Sequence, residues 1–194
     1  MLSLLDGRPE EVAPRLLGAR LTHAGVTLRL TEVEAYGGPD PDGDPGSHAF
    51  RGPTPRNTVM FGRGGVLYVY FTYGMHHCAN LVVGDGPGAV LLRAGEVVDG
   101  VELARARRPG SSDRDLARGP ARLCRALALD LSHNGLVVGP ELRLVPSTGE
   151  VGPLASGPRV GLRLAPERPW RFWIQGEPTV SPYRPAVSRG PKGL

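Results

Sequence analysis

Residues 20–36 have the sequence RLTHAGVTLRLTEVEAY, and this stretch decides the fold. Two segments with alternating apolar and polar residues, Arg20–His23 and Val26–Tyr36, flank the dipeptide Ala24-Gly25. A two-residue connection containing glycine between such segments predicts a β-hairpin. The second segment is the longer one, so it predicts a long strand that follows the hairpin turn.

Strict alternation along that strand places one set of side chains on one face. The set is Val26, Leu28, Leu30, Glu32, Glu34 and Tyr36. The apolar face is therefore expected to run into two carboxylates and a phenol at one end of the strand. A carboxylate on an apolar face is either paired with a cation or used chemically. Pairing with an arginine is the commoner outcome, and the residues alone leave both open.

The rest of the chain alternates short apolar segments with turns, since 28 glycines and 20 prolines are spread along it. The pattern predicts helices at 9–18, 99–108 and 120–129, and further strands at 66–72, 78–83, 89–97, 159–164 and 170–175. Residues 37–58 lack periodicity and predict a loop. The expected fold is an α+β single domain over residues 1–194, with a curved, mostly antiparallel sheet flanked by short helices. Residues 185–194 are expected to form a flexible tail.

Composition narrows the classes of function. No apolar run reaches membrane-spanning length and no signal pattern is visible, so a cytoplasmic protein is expected. Cys78 and Cys124 are too few for a disulfide framework. Residues 1–100 carry a net charge of −3, whereas residues 101–194 carry +7. A phosphate backbone would suit the basic half, and a solvated helical surface explains it equally well.

Aromatic residues are unevenly placed. Seven of the 11 lie between positions 36 and 73: Tyr36, Phe50, Phe61, Tyr68, Tyr70, Phe71 and Tyr73. Their clustering beside polar loops indicates a ligand platform, although each tyrosine alone is more often a core residue with a bonded hydroxyl. Asn80 and Arg93 are polar residues inside apolar strands, where they either satisfy a neighbour or orient a substrate or water.

The spacing of the candidate ligand residues and of the glycines gives little support to a metal site or a nucleotide-binding site. Possible metal ligands are His48, His76, His77, Cys78, Cys124 and His133. Neighbouring strand residues point to opposite faces, and neither a Cys-x-x-Cys nor a His-Glu-x-x-His pattern occurs. Glycine-rich phosphate-binding motifs are also missing from the sequence. Neither a metal nor a cofactor is therefore expected.

Seven short motifs stand in order along the chain. They are TEVEAY at 31–36, TPRN at 54–57, LYVY at 67–70, YGM at 73–75, CAN at 78–80, LLRA at 91–94 and GPARLC at 119–124. In order and spacing, from about residue 8 to the tail, the sequence resembles bacterial members of the alkyladenine (3-methyladenine) DNA glycosylase family. The resemblance implies the family's single α+β domain around a curved antiparallel sheet.

The resemblance also implies roles for individual residues. Glu34 matches the general base for the attacking water, and Arg93 matches the arginine that holds this water. Tyr36, His48 and Tyr70 match the pocket that sandwiches a flipped base, with Asn80 and Leu91 at its floor. Tyr73 matches the side chain that wedges into the duplex, and Met60 matches a DNA contact beside it.

The start of the predicted helix at 120–129, with Arg118 and Arg122, offers a phosphate contact by helix-terminus electrostatics. An ordinary packed helix end is an equal alternative. The loop at 37–47 is longer than the family pattern, and Gly46 stands where a small residue such as alanine would line the pocket. Both departures affect where His48, the residue after this loop, is expected to lie in the pocket.

The implied activity is monofunctional hydrolysis of damaged purines from double-stranded DNA, carried out by a monomer. A lyase activity needs an amine nucleophile, and the only lysine is Lys192 in the tail. Two other classes of function remain open. A binding module would use the tyrosines only for stacking, with Glu34 and Arg93 as a structural ion pair. A small-molecule hydrolase would leave Tyr73 and the basic half without a role.

Overall fold

The predicted hairpin is present at the centre of the structure. In a computed structural model, which describes residues 4–39, 43–72 and 74–186, β1 (Arg20–His23) pairs antiparallel with β2 (Val26–Tyr36). Ala24 and Gly25 both have positive φ, 45° and 78°. Two successive left-handed residues give a turn whose twist matches that of the strands, which explains why this dipeptide closes the hairpin.

The sheet continues on both sides of the hairpin. Its other strands are β3 (Leu67–Thr72), β4 (His76–Val82), β5 (Ala89–Asp99), β6 (Arg143–Val145), β7 (Leu154–Gly157) and β8 (Arg171–Ile174). The main path runs β3-β4-β5-β2-β1-β6, while β8 pairs with β2 and with β7. Every pairing is antiparallel. The α+β prediction with a mostly antiparallel sheet is therefore confirmed.

Short helices cover the sheet. They are α1 (Pro9–Arg15), α2 (Val101–Arg107) and α3 (Pro120–Ala126), and 3-10 helices lie at Thr58–Phe61, Asp113–Asp115 and Leu131–His133. Buried side chains from α1 and α3 join those of the central strands in one hydrophobic core. A second, smaller cluster forms around Met60 and Tyr68 beside β3. In the part of the chain that the structure describes, no helix has the length and apolar character to cross a membrane.

The strict alternation predicted for β2 is wrong at one point. The core takes Leu28 and Leu30 from the first half of the strand but Val33 and Ala35 from the second. Irregular pairing with β5 falls on either side of Glu32. Such irregularities re-aim side chains and are common beside active sites. As a result Glu32 and Glu34 do not continue the face of Leu28 and Leu30.

The predicted strand at 159–164 is also wrong. The structure places β7 earlier, at Leu154–Gly157, and residues 159–164 form turns without a strand partner. Polar contacts explain the difference, because the Arg159 side chain bonds Ala35 of β2 and Asp44 of the 37–47 loop. The Val160 amide bonds Glu34 of β2. The predicted flexible tail falls largely outside the described residues, which end at 186.

Candidate active site

A cavity of about 510 Å³ opens on one face of the sheet. Every second residue of three adjacent strands lines it, as expected for side chains that share a face. These are Tyr68, Tyr70 and Thr72 from β3, His76, Cys78 and Asn80 from β4, and Leu91 and Arg93 from β5. The end of β2, the 37–58 loop, the start of α3 and residues 160–162 complete the walls.

Aromatic rings form one side of this cavity. Tyr68 and Tyr70 stack with centroids 5.5 Å apart and an interplanar angle of 28°. His48 meets the edge of Tyr70 at 4.6 Å, and its Nδ1 lies 3.0 Å from the Tyr68 hydroxyl. Burial, with Arg56 nearby, lowers the pKa of His48. The imidazole is therefore neutral at pH 7, so it adds no positive charge to the cavity.

Glu34 lies behind the cavity, with none of its surface exposed. Its Oε1 accepts a hydrogen bond from the Val160 amide at 2.6 Å. Its Oε2 accepts one from the Tyr36 hydroxyl at 2.9 Å and one from Arg93 Nη1 at 3.2 Å. Burial, reinforced by the Glu34 charge, raises the pKa of Tyr36 well above its ordinary value, so the phenol keeps its proton. Each of the three donors lines the cavity.

Arg93 joins Glu34 to a second buried carboxylate. Its Nε donates to Glu32 Oε1 at 2.8 Å, and its Nη2 lies 3.2 Å from the Ser181 hydroxyl. Arg171 donates to the same Glu32 oxygen at 2.7 Å. Burial alone would lower the pKa of Arg93, but Glu34 and Glu32 outweigh it and raise the pKa. Two carboxylates thus face two guanidinium groups, which satisfies the charges in a buried site.

This combination of a buried, hydrogen-bonded carboxylate and an aromatic cavity coincides with a family match over most of the chain. The model of the methylpurine-DNA glycosylase family matches residues 3–178. The chain belongs to this family. It is 53% identical over 191 residues to a protein of Leifsonia xyli, covering 90% of this chain and 87% of the relative. A relative from Streptomyces avermitilis is also 53% identical, covering 92% and 89%. Both bear the provisional name 3-methyladenine DNA glycosylase.

As a methylpurine-DNA glycosylase family member, the protein is a hydrolase that acts on N-glycosyl bonds in DNA. A relative from Frankia casuarinae, under the same provisional name, is 50% identical over 189 residues, covering 90% of this chain. The family fold brings together most of the residues singled out from the sequence. Tyr36, His48, Tyr70, Asn80, Leu91 and Arg93 all line one cavity, with Glu34 directly behind it.

Of the predicted DNA contacts, Met60 lies in a buried environment and Tyr73 cannot be placed. Met60 is only 2% exposed and packs against Tyr68, Val82 and Ala89. Because this cluster covers it, Met60 forms part of the cavity wall and has almost no surface for a duplex outside it. Tyr73, predicted to wedge into the duplex, lies outside the described residues.

Arg118 and Arg122 lie at the rim of the cavity, at the start of α3. The Arg118 Nε donates to the Val180 carbonyl at 2.8 Å, so this side chain also anchors the C-terminal segment. Arg122 Nη1 is 3.6 Å from an Asp115 oxygen, and its side chain is 48% exposed. Arg122 therefore has more of its charge available at the surface than Arg118.

Sequence reasoning missed the buried ion pair between Asp44 and Arg159. Both side chains are fully buried, and their two oxygen–nitrogen contacts are 2.5 and 2.7 Å long. The Arg159 guanidinium also lies over the Tyr36 ring, 4.8 Å from its centroid. The pair joins the 37–47 loop to the segment whose Val160 amide bonds Glu34. The partners are 115 positions apart in the chain, so no local pattern could have revealed the pair.

The long 37–47 loop does not displace His48 from the cavity. Asp44 accepts hydrogen bonds from the amides of Gly37 and Gly46, both at 3.1 Å, which fold the loop back on itself. At Gly46 a Cβ atom would lie 2.4 Å from Leu162 Cδ2. Leu162 thus occupies the space that an alanine side chain would need, which accounts for glycine at this position.

The buried cluster predicts a loss of stability in acid. Burial would raise the pKa of Glu32, but Arg93, Arg171 and Ser181 outweigh it and hold the pKa below its ordinary value of 4.5. The stabilisation is therefore fully present above about pH 4.5 and is lost as the pH falls through the lower value of the folded protein. Urea unfolding at a series of pH values should show a steeper loss below pH 4.5 in the wild type than in Glu32→Gln. Equal slopes would contradict this assignment, and Asp113→Asn, at an exposed ion pair, serves as control.

Proposed function

We propose that the protein flips a damaged purine into the cavity and hydrolyses its glycosidic bond with a water activated by Glu34, leaving an intact abasic site. The observation that carries this proposal is the bonding of Glu34. All three of its donors, Tyr36, Arg93 and the Val160 amide, also line the aromatic cavity. A carboxylate held in this way is attached to the cavity wall and has a fixed orientation.

A water has one favourable place on this carboxylate. An ionised carboxylate offers about four acceptor positions, and three are occupied here. In the described part of the chain Oε1 accepts only from the Val160 amide, so the fourth acceptor position is on Oε1. A water bound there loses its proton to Glu34 as it attacks C1′ of the deoxyribose. The carboxylate also stabilises the positive charge that develops on the sugar as the bond breaks, as carboxylates do in glycosidases.

The aromatic wall favours alkylated purines. A purine methylated at a ring nitrogen carries a positive charge, which makes it a good leaving group and attracts it to the faces of Tyr36 and Tyr70. Removal of the base from the duplex costs a few kcal/mol, and least for a damaged base. Names of relatives point to 3-methyladenine. We extend the proposal to hypoxanthine and ethenoadenine, neutral bases whose departing ring nitrogen must also gain a proton, which the proton removed from the attacking water balances. We also propose that a monomer carries out the reaction.

The direct test is single-turnover base release from duplexes that each carry one lesion: 3-methyladenine or 7-methylguanine, hypoxanthine, ethenoadenine, or none. We expect release from the alkylated duplex, with slower release from the neutral lesions. The product strand should remain uncut until it is treated with alkali, and borohydride should trap no protein–DNA adduct. A trapped adduct would contradict the monofunctional mechanism, and binding without release from any duplex would support a binding module instead.

Replacement of Tyr70 tests the aromatic wall. Loss of a desolvated cation–π contact, worth about 1–2 kcal/mol, should make Tyr70→Leu about tenfold slower on a cationic methylated purine. The effect on neutral hypoxanthine should be smaller, because only the stacking is lost. Phe50→Leu is the matched control, since Phe50 is an exposed aromatic residue that does not line this cavity. Equal losses on the cationic and neutral bases would show that the ring acts by shape alone.

A further inference from the structure

We propose that His23, His133 and Glu141 form a site for a divalent transition-metal ion, with Zn²⁺ the ion that this set of donors fits best. One ligand atom from each residue lies within 4.8 Å of the other two. His23 ends β1, His133 ends the 3-10 helix at Leu131–His133, and Glu141 precedes β6. The cluster is separate from the residues that line the glycosylase cavity.

The bonding of His23 fixes which ring nitrogen is available. Its Nδ1 lies 2.7 Å from the Leu127 carbonyl oxygen, which can only accept a hydrogen bond. Nδ1 therefore carries the proton, and the neutral ring has its lone pair on Nε2. Only 4% of the His23 surface is exposed, so this orientation is set inside the fold. A histidine that donates one ring nitrogen to a carbonyl and directs the other at a metal is the common arrangement in metal sites.

His133 has a similar arrangement, with a carboxylate as the partner. Its Nδ1 is 2.9 Å from Asp130 Oδ1 and 3.2 Å from the Asp130 amide nitrogen. Nδ1 of His133 thus has both a donor, the Asp130 amide, and an acceptor, the Asp130 carboxylate, beside it. The tautomer that binds a metal through Nε2 is the one in which Nδ1 donates to the carboxylate at 2.9 Å. The ring of His133 meets that of His23 edge to face, with centroids 4.7 Å apart. Carboxylate–histidine pairs of this kind orient ligands and make them more basic.

The donor set selects the class of ion. Two imidazoles and one carboxylate are typical ligands of zinc, at about 2.0–2.2 Å, and a water takes the fourth position. Calcium and magnesium prefer oxygen ligands alone. Glu141 is exposed, so its side chain can rotate to close the remaining distance. The ion would link the end of β1, the segment after α3 and the start of β6, which stabilises the fold without taking part in base release.

Isothermal titration of the 194-residue chain, freed of metal with a chelator, tests the site with ZnCl₂. We expect one Zn²⁺ to bind per chain and the thermal midpoint to rise. Glu141→Gln should weaken binding at least tenfold, and Asp130→Asn, outside the direct ligands, by about 10–100-fold. His133→Ala should abolish it. His77→Ala, a histidine on β4, is the matched control and should bind as the wild type does.

Cobalt supplies a second readout. The Co²⁺ form should show the visible absorption of a four-coordinate nitrogen and oxygen site, without a thiolate charge-transfer band. Absence of Zn²⁺ binding, equal affinity of the wild type and Glu141→Gln, or a thiolate band that assigns the metal to Cys78 or Cys124 would each overturn the proposal. Because Glu141 is exposed, its variant stays informative even where His133→Ala fails to fold. None of these measurements depends on glycosylase activity.

Discussion

Glu34→Gln is expected to slow base release by about 10²–10⁴-fold, the usual contribution of a general base, while lesion binding persists. Glutamine has nearly the same shape, but its amide cannot take a proton from water. The amide nitrogen is also a donor, so it cannot accept from all three of Tyr36, Arg93 and Val160. Arg93 keeps its contact with Glu32, which preserves part of the buried charge balance.

Single-turnover release from a duplex with one alkylated purine measures this effect, together with binding of the same duplex and a thermal melt of each variant. Tyr36→Phe is the matched control, because it removes one hydrogen bond to Glu34 and keeps the carboxylate. Its loss should be about tenfold or less, the equivalent of one hydrogen bond. If Glu34→Gln released base at the wild-type rate, Glu34 would be only a structural ion-pair partner of Arg93.

Asp44→Asn is expected to lower the free energy of unfolding by about 3–5 kcal/mol. The substitution leaves the Arg159 guanidinium buried without its charged partner, and one acceptor of the Gly37 and Gly46 amides becomes a donor. Because Arg159 packs on Tyr36 and precedes Val160, the variant should also release base more slowly at temperatures where it is folded.

Denaturant unfolding at pH 7 measures the first effect and single-turnover release the second. Asp113→Asn removes an ion pair at the surface, with Arg105, and should change stability little. A similar small change in Asp44→Asn would show that the 37–47 loop is held by its other contacts. Stability lost without any change in base release would separate the ion pair from the orientation of Glu34.

Local patterns were sufficient for the hairpin and for β3, β4, β5 and β8, but not for β6 and β7. The hairpin at 20–36 was predicted with the bounds that the structure shows, because turn geometry and alternation are properties of neighbouring residues. The predicted strand at 159–164 is wrong for the opposite reason. Its apolar residues suit a strand, but the distant partners of Arg159 and Val160 determine the backbone there.

The candidate site also combines residues that the sequence predicts with contacts that only the tertiary structure creates. Motif resemblance singled out Glu34, Tyr36, His48, Tyr70 and Arg93. The last four line one cavity in the structure, and Glu34 lies directly behind it. No motif identified the Val160 amide as a donor to Glu34, since a backbone group carries no residue signature. The Asp44–Arg159 pair and the His23, His133 and Glu141 cluster also join residues that are far apart in the chain.

The sequence by itself determined the fold class, the family and the residue types at the cavity, because these follow from short-range periodicity and from motifs in order. Only the tertiary structure decided which face of β2 carries Glu32 and Glu34. Irregular pairing with β5 turns them from the face of Leu28 and Leu30 towards Arg93. A strand pattern records alternation within one strand, whereas such an irregularity depends on the partner strand and on the buried charges that it brings together.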